Sequence, residues 1–131
     1  MTKTFLIFGS LFAALGVILG AFGAHALKGK LSLEQLQIFE TGVRYQMYHS
    51  IALILVFLLG TKLNNPLMNT SGWFFLAGIV LFSGSLFLLS SRELLGIEGW
   101  SRIIGPITPI GGLCLIIGWV CLLVSTLKLN N

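Results

Sequence analysis

Residues 5–26 read FLIFGSLFAALGVILGAFGAHA, twenty-two positions without a single charged side chain. As a helix, such a run is about 33 Å long, enough to cross the roughly 30 Å hydrocarbon layer of a bilayer. The rest of the chain repeats the pattern, with apolar runs at about 44–61, 73–90 and 103–127 joined by short polar connections. The expected fold is all-α: four transmembrane helices in a compact bundle, one domain over residues 1–131. Composition agrees, since 9% of the 131 residues are charged, 56% are hydrophobic and the mean hydropathy is +0.97. A soluble domain carries about a quarter charged residues. The chain is therefore expected to be a multi-pass protein of the cell (cytoplasmic) membrane, with the lipid bilayer as its first partner.

The net charge of +4 does not point to nucleic acid, because the eight basic residues stand singly around the ends of the apolar runs. Lys28, Lys30, Arg44, Arg92 and Arg102 fall with the first and third loops, and Lys3, Lys62 and Lys128 with the termini and second loop. Five against three places the first and third loops in the cytoplasm and both termini outside. Lys3, the first apolar run and Ala24-His25-Ala26 imitate a secretory signal. The run is longer than a signal core and carries a regular small-residue face, so a retained helix is expected.

That face comprises Gly9, Ala13, Gly16, Gly20 and Ala24, and a second one on the last span comprises Gly111, Cys114, Gly118, Cys121 and Ser125. Small residues let helix backbones approach closely in lipid. Cys114 and Cys121, about 10 Å apart along a helix, cannot bridge each other and read as packing residues. Ser32 and Gln35 have the spacing of a reciprocal helix cap. The following stretch, Leu33–Val43, reads as an interfacial helical extension leading into the second span. Lys62–Thr70 reads as a turn. The lead-in to span 4, with Gly105, Pro106, Thr108, Pro109 and Gly112, predicts a distorted first turn or a short broken segment. Carbonyls freed there could meet an ion, or the prolines could simply occupy a first helical turn.

The polar residues that could carry chemistry are His25, Glu40, Arg44, Tyr45, Tyr48 and His49, all toward the side of the first and third loops. Glu40 with Arg44 and Tyr45 with His49 have the i,i+4 spacing of helix neighbours. If spans 1 and 2 form a hairpin, His25 and His49 are expected at similar depth. The alternative reading is an interfacial belt of tyrosines and a snorkelling arginine. A metal site from His25, His49 and Glu40 is not expected, since there is no third histidine and no His-x-x-x-His pair; haem between the two histidines is conceivable in a four-helix bundle but expected still less. The chain lacks aspartate and its cysteines lie within span 4, which argues against triad-type catalysis.

Four segments are similar to the signature of a family of small bacterial membrane proteins catalogued as domain of unknown function 423. They are Gly20–His25, Phe39–Ser50, Phe82–Leu86 and Thr108–Gly112, and their order and spacing agree over essentially the whole chain. Animal transmembrane protein 256 is similar. The third loop, Glu93–Ser101, is longer than the family pattern. The resemblance implies a multi-pass membrane protein and supplies no catalytic residue, substrate or cofactor. The expected function is non-enzymatic, without cofactor: an accessory subunit that packs through helix contacts against itself or a larger membrane complex. The alternatives are a small oligomeric transporter or channel and, last, a membrane enzyme or redox subunit.

Overall fold

The computed structural model describes residues 3–63 and 65–128. The first apolar run forms α1, Thr4–His25. It stops short of Gly29, whose φ of +89° lies in the left-handed region that favours glycine, and the chain reverses there. Leu27 and Leu31 are buried against Phe39 just beyond the helix end. The Ser32 N–H donates to Gln35 Oε1 at 2.9 Å and the Gln35 N–H to Ser32 Oγ at 3.2 Å, forming the reciprocal cap. Helix α2 then runs without interruption over Leu33–Leu63.

Glycines set the register of α1 on α2. Gly23 lies against Phe39, Gly20 against Val43, Gly16 against Met47, and Gly9 against Ile54 and the Ser50 carbonyl. The two ends of α1 are thus level with about residues 38 and 59 of α2. The sequence reading began span 2 at Arg44, whereas the helix itself begins at Leu33 and lies beside α1 from about residue 38. A charged side chain looked like a boundary, yet Glu40 and Arg44 sit beside α1 on an exposed face.

Span 3 also begins earlier than its apolar run. Asn65 Oδ1 accepts the Leu67 N–H at 3.0 Å and Pro66 occupies the first turn, where its missing N–H is harmless. Helix α3 covers Pro66–Ser90: an α-helical part Pro66–Gly78, a π-helical turn Ile79–Ser83 and a second α-helical part Gly84–Ser90. Most of the expected turn Lys62–Thr70 is therefore helix, and Asn64 within it lies outside the described residues. Ser90 is followed by a single turn Arg92–Leu95, closed by Gly96 at φ +67°, a 3-10 turn Glu98–Trp100 and a further turn Ser101–Ile104. Helix α4 is Ile107–Leu127.

The molecule is two helical hairpins side by side. Helix α1 rests chiefly on α2 and α4 chiefly on α3, while α2 and α3 join the pairs. Phe5, Leu53, Val56, Phe75, Ile79 and Leu115 form the shared core. Ile7, Val17 and Ile18 of α1 and Leu113, Ile116 and Leu123 of α4 face outward. Four helical stretches are long and apolar enough to cross a membrane. With an apolar exterior between charged ends, this is a multi-pass membrane protein.

Both small-residue faces are used inside the monomer, with one change of membership. On α1, Gly9, Gly16 and Gly23 are buried, Ala13 and Gly20 are half-buried, and Ala24 turns outward. The seam advances by seven residues, the 3.5 period of helices crossing at a shallow angle, whereas steps of four from Gly16 to Ala24 drift off it. On α4, Gly111, Gly118 and Ser125 are buried at the same seven-residue step, and Cys114 and Cys121 are half-buried on its flank.

Candidate functional site

His49 lies level with about Ala14, the middle of α1, and is 5% exposed. Its ring is bonded on both sides. One nitrogen, Nδ1, is 2.7 Å from the Tyr45 carbonyl, and the other, Nε2, is 3.1 Å from the indole nitrogen of Trp119 on α4. A carbonyl can only accept and an indole N–H can only donate. The ring is therefore the neutral Nδ1–H tautomer, and its Nε2 lone pair is occupied by Trp119. Tyr45 stacks on the imidazole at 5.9 Å between centroids, Phe75 lies at 5.6 Å, and Trp119 meets Phe75 edge-on at 5.0 Å. A polar contact between helices is thus flanked by aromatic rings about half-way along the bundle.

Beside it is a groove of about 550 Å³ lined by Tyr45 and Tyr48 of α2, Phe82 of α3, and Gly112, Ile116 and Trp119 of α4. Tyr45 is 40% and Tyr48 57% exposed along this opening. The side-chain hydrogen bonds of this part of α2 are made by Thr41, Arg44, Gln46, His49 and Ser50, and neither tyrosine hydroxyl joins one to a described residue.

The six expected residues do not form one cluster: Tyr45, Tyr48 and His49 meet at the groove, Glu40 and Arg44 line a separate cavity, and His25 stands apart. His25 ends α1, exposed, and the helix register sets it about 11 residues, roughly 16 Å, from His49 along the bundle. The expectation of similar depth fails because α2 begins so soon after the turn that its residue 49 has already run back to the middle. Arg44 donates to Thr41 Oγ1 at 3.3 Å rather than pairing with Glu40, and both charged residues are exposed. Tyr45 and Tyr48 lie about 10–15 Å inward from the level of His25 along the bundle. Among the described residues no group of three or more His, Cys, Asp or Glu could hold a metal ion.

The proline lead-in is satisfied locally. Pro106 precedes α4, Pro109 stands in its first turn, and the Gly105 N–H donates to the Ser101 carbonyl at 2.9 Å. The Thr108 and Ser85 hydroxyls share a hydrogen bond at 2.7 Å, tying this turn to α3. The residues that sequence reasoning missed are Trp119, Phe75 and Phe82. Trp119 did leave a signal, since tryptophan usually sits at the ends of an apolar span and here stands within one.

The family described as "Protein of unknown function (DUF423)" matches residues 19–112, from the glycine half of α1 to the rim of the groove. UPF0382 membrane protein YwdK of Bacillus subtilis is 46% identical over 127 residues, covering 96% of this chain and 98% of that protein. UPF0382 membrane protein SH2409 of Staphylococcus haemolyticus is 45% identical over 127 residues, covering 96% and 97%. UPF0382 membrane protein SERP0230 of Staphylococcus epidermidis is 46% identical over 127 residues with the same coverage. No solved structure matches the chain.

Proposed function

The chain belongs to the DUF423 family, and we propose that it is a non-enzymatic accessory protein of the cytoplasmic membrane, acting by holding a transmembrane helix of another subunit in the groove between α2 and α4. The observation that carries this reading is the pair of tyrosines, 40% and 57% exposed well inside the membrane-spanning part of α2. Hydroxyls facing hydrocarbon are costly, and a neighbouring helix offering polar groups would satisfy them while its side chains filled the aromatic groove. The glycine faces do not serve this purpose, because α2 and α3 already cover them. The docking helix belongs to a larger membrane complex or to a second copy of this chain.

A photo-crosslinking residue at position 48 or 116, read by mass spectrometry after extraction in mild detergent, should capture one defined partner peptide. The same residue at position 18 on the outer face of α1 should not. Capture of lipid alone from positions 48 and 116, with a strict monomer in native mass spectrometry, would overturn the proposal.

A further inference from the structure

A second, smaller cavity lies on the outer side of the α1–α2 seam, apart from the aromatic groove. It measures about 170 Å³ and is lined by Gly20, Gly23, Phe39, Glu40, Val43 and Arg44. Gly20 and Gly23 form the α1 wall without side chains, and Phe39 and Val43 pack beside them from α2. The two charged residues complete its lining. Although they stand at the favourable i,i+4 spacing, they are not paired. Arg44 donates to Thr41, and the ion pair formed among the described residues is Arg92–Glu93 at 3.8 Å.

Depth makes this arrangement chemically specific. Glu40 is level with Gly23, just inside the end of α1 that leads to Lys28 and Lys30. Arg44 is one helical turn, about 6 Å, further toward the membrane middle. A carboxylate and a guanidinium at the edge of hydrocarbon each need a counter-charge. A cation is required on the outer side and an anion one step deeper, with an apolar slot beside them. A phospholipid bearing a primary ammonium presents these groups in that order: ammonium outermost, then phosphate, then glyceride chains.

We propose that the notch between α1 and α2 is a binding site for an ammonium-bearing zwitterionic phospholipid, with its phosphate on Arg44, its ammonium on Glu40 and the head of its glyceride portion against Gly20 and Gly23. Arg44 supplies a planar donor pair suited to phosphate oxygens. Glu40 accepts from the ammonium and selects against headgroups lacking it. Gly20 and Gly23 together with Phe39 and Val43 form the apolar wall of the slot.

The test is native mass spectrometry of the full chain in mild detergent with added phosphatidylethanolamine or phosphatidylglycerol. Wild type should retain phosphatidylethanolamine about 3–10-fold better than phosphatidylglycerol, the size of one ion pair in a partly dry setting. Glu40→Gln should remove that preference while still holding both lipids, and Arg44→Gln should weaken both by a similar factor. Both positions are exposed, so helix content and thermal unfolding should remain as in wild type. Soluble glycerophosphoethanolamine at equal concentration should not displace the lipid, because it lacks the chains. Equal retention of the two lipids by wild type, an unchanged preference in Glu40→Gln, unchanged retention in Arg44→Gln, or displacement by the soluble headgroup overturns the proposal.

Discussion

His49 and Trp119 show how a single polar contact is accommodated in lipid. Each is amphipathic: Trp119 donates its N–H to Nε2 of His49, whose Nδ1 faces the Tyr45 carbonyl, while Tyr45 lies against the imidazole and Phe75 against both rings. Trp119→Phe keeps an aromatic ring but removes the N–H, leaving Nε2 of a buried imidazole without a donor. Interhelical hydrogen bonds in membranes are worth about 0.6–1.7 kcal/mol, so unfolding in mild detergent should occur a few degrees lower. An unchanged midpoint would mean that the bond carries no stability. The glycines give a sharper contrast. A Cβ at Gly111 would collide with the backbone of Phe82, which cannot step aside, whereas one at Gly20 meets Val43 Cγ1 at 3.4 Å, an ordinary contact. Gly111→Ala should destabilise by about 2 kcal/mol or more, and Gly20→Ala by less than about 0.5 kcal/mol. Thermal melts of the two variants side by side would check this, and equal losses would contradict the packing of α4 on α3.

At the scale of elements, the seven-residue seams and the π-helical turn belong together. Gly9, Gly16 and Gly23 hold α1 along α2, and Gly111 and Gly118 hold α4 along α3. The turn Ile79–Ser83 adds width to α3 where Gly111 takes a side chain away from α4, so one backbone fits against the other. The same register decides which part of α2 is in lipid. In a background with Cys114 and Cys121 replaced by alanine, single cysteines at Leu33 and Lys62 should react with a membrane-impermeant maleimide, the first in inverted vesicles and the second in intact cells. Cysteines at Tyr48 and Ile51 should not. Reaction at 51 as fast as at 33 would show that α2 does not cross at residues 38–59.

For the whole molecule, two hairpins impose a parity that no local feature can change. Lys28, Lys30 and Arg102 must lie at one face of the membrane, and Lys62 and Lys128 at the other. The basic residues at the first and third connections, Lys28, Lys30, Arg92 and Arg102 against Lys3, Lys62 and Lys128 at the other end, predict that the former end faces the cytoplasm. Cysteines at 28 and 102 should therefore be labelled only in inverted vesicles and cysteines at 62 and 128 only in intact cells. Labelling of 28 and 62 from the same side would break the fold itself, whereas a simple exchange of sides would reverse only the orientation.

Much of this architecture was legible because hydrocarbon demands helices of a minimum length, and apolar runs of that length are plain in the sequence. The cap at Ser32 and Gln35 was equally plain, since it involves neighbours three residues apart. The start of α3 was not, because its first two turns carry Asn69, Thr70 and Ser71 and resemble a loop by composition. Nor was the site: His25 and His49 attract attention together in the sequence, yet the partner of His49 is Trp119, seventy positions away. The linear chain determines that there are four rods, what solvent surrounds them and where they reverse. Only their packing decides which side chains meet, because depth and facing depend on the register between helices, and one helical turn of slip moves a residue by about 5 Å.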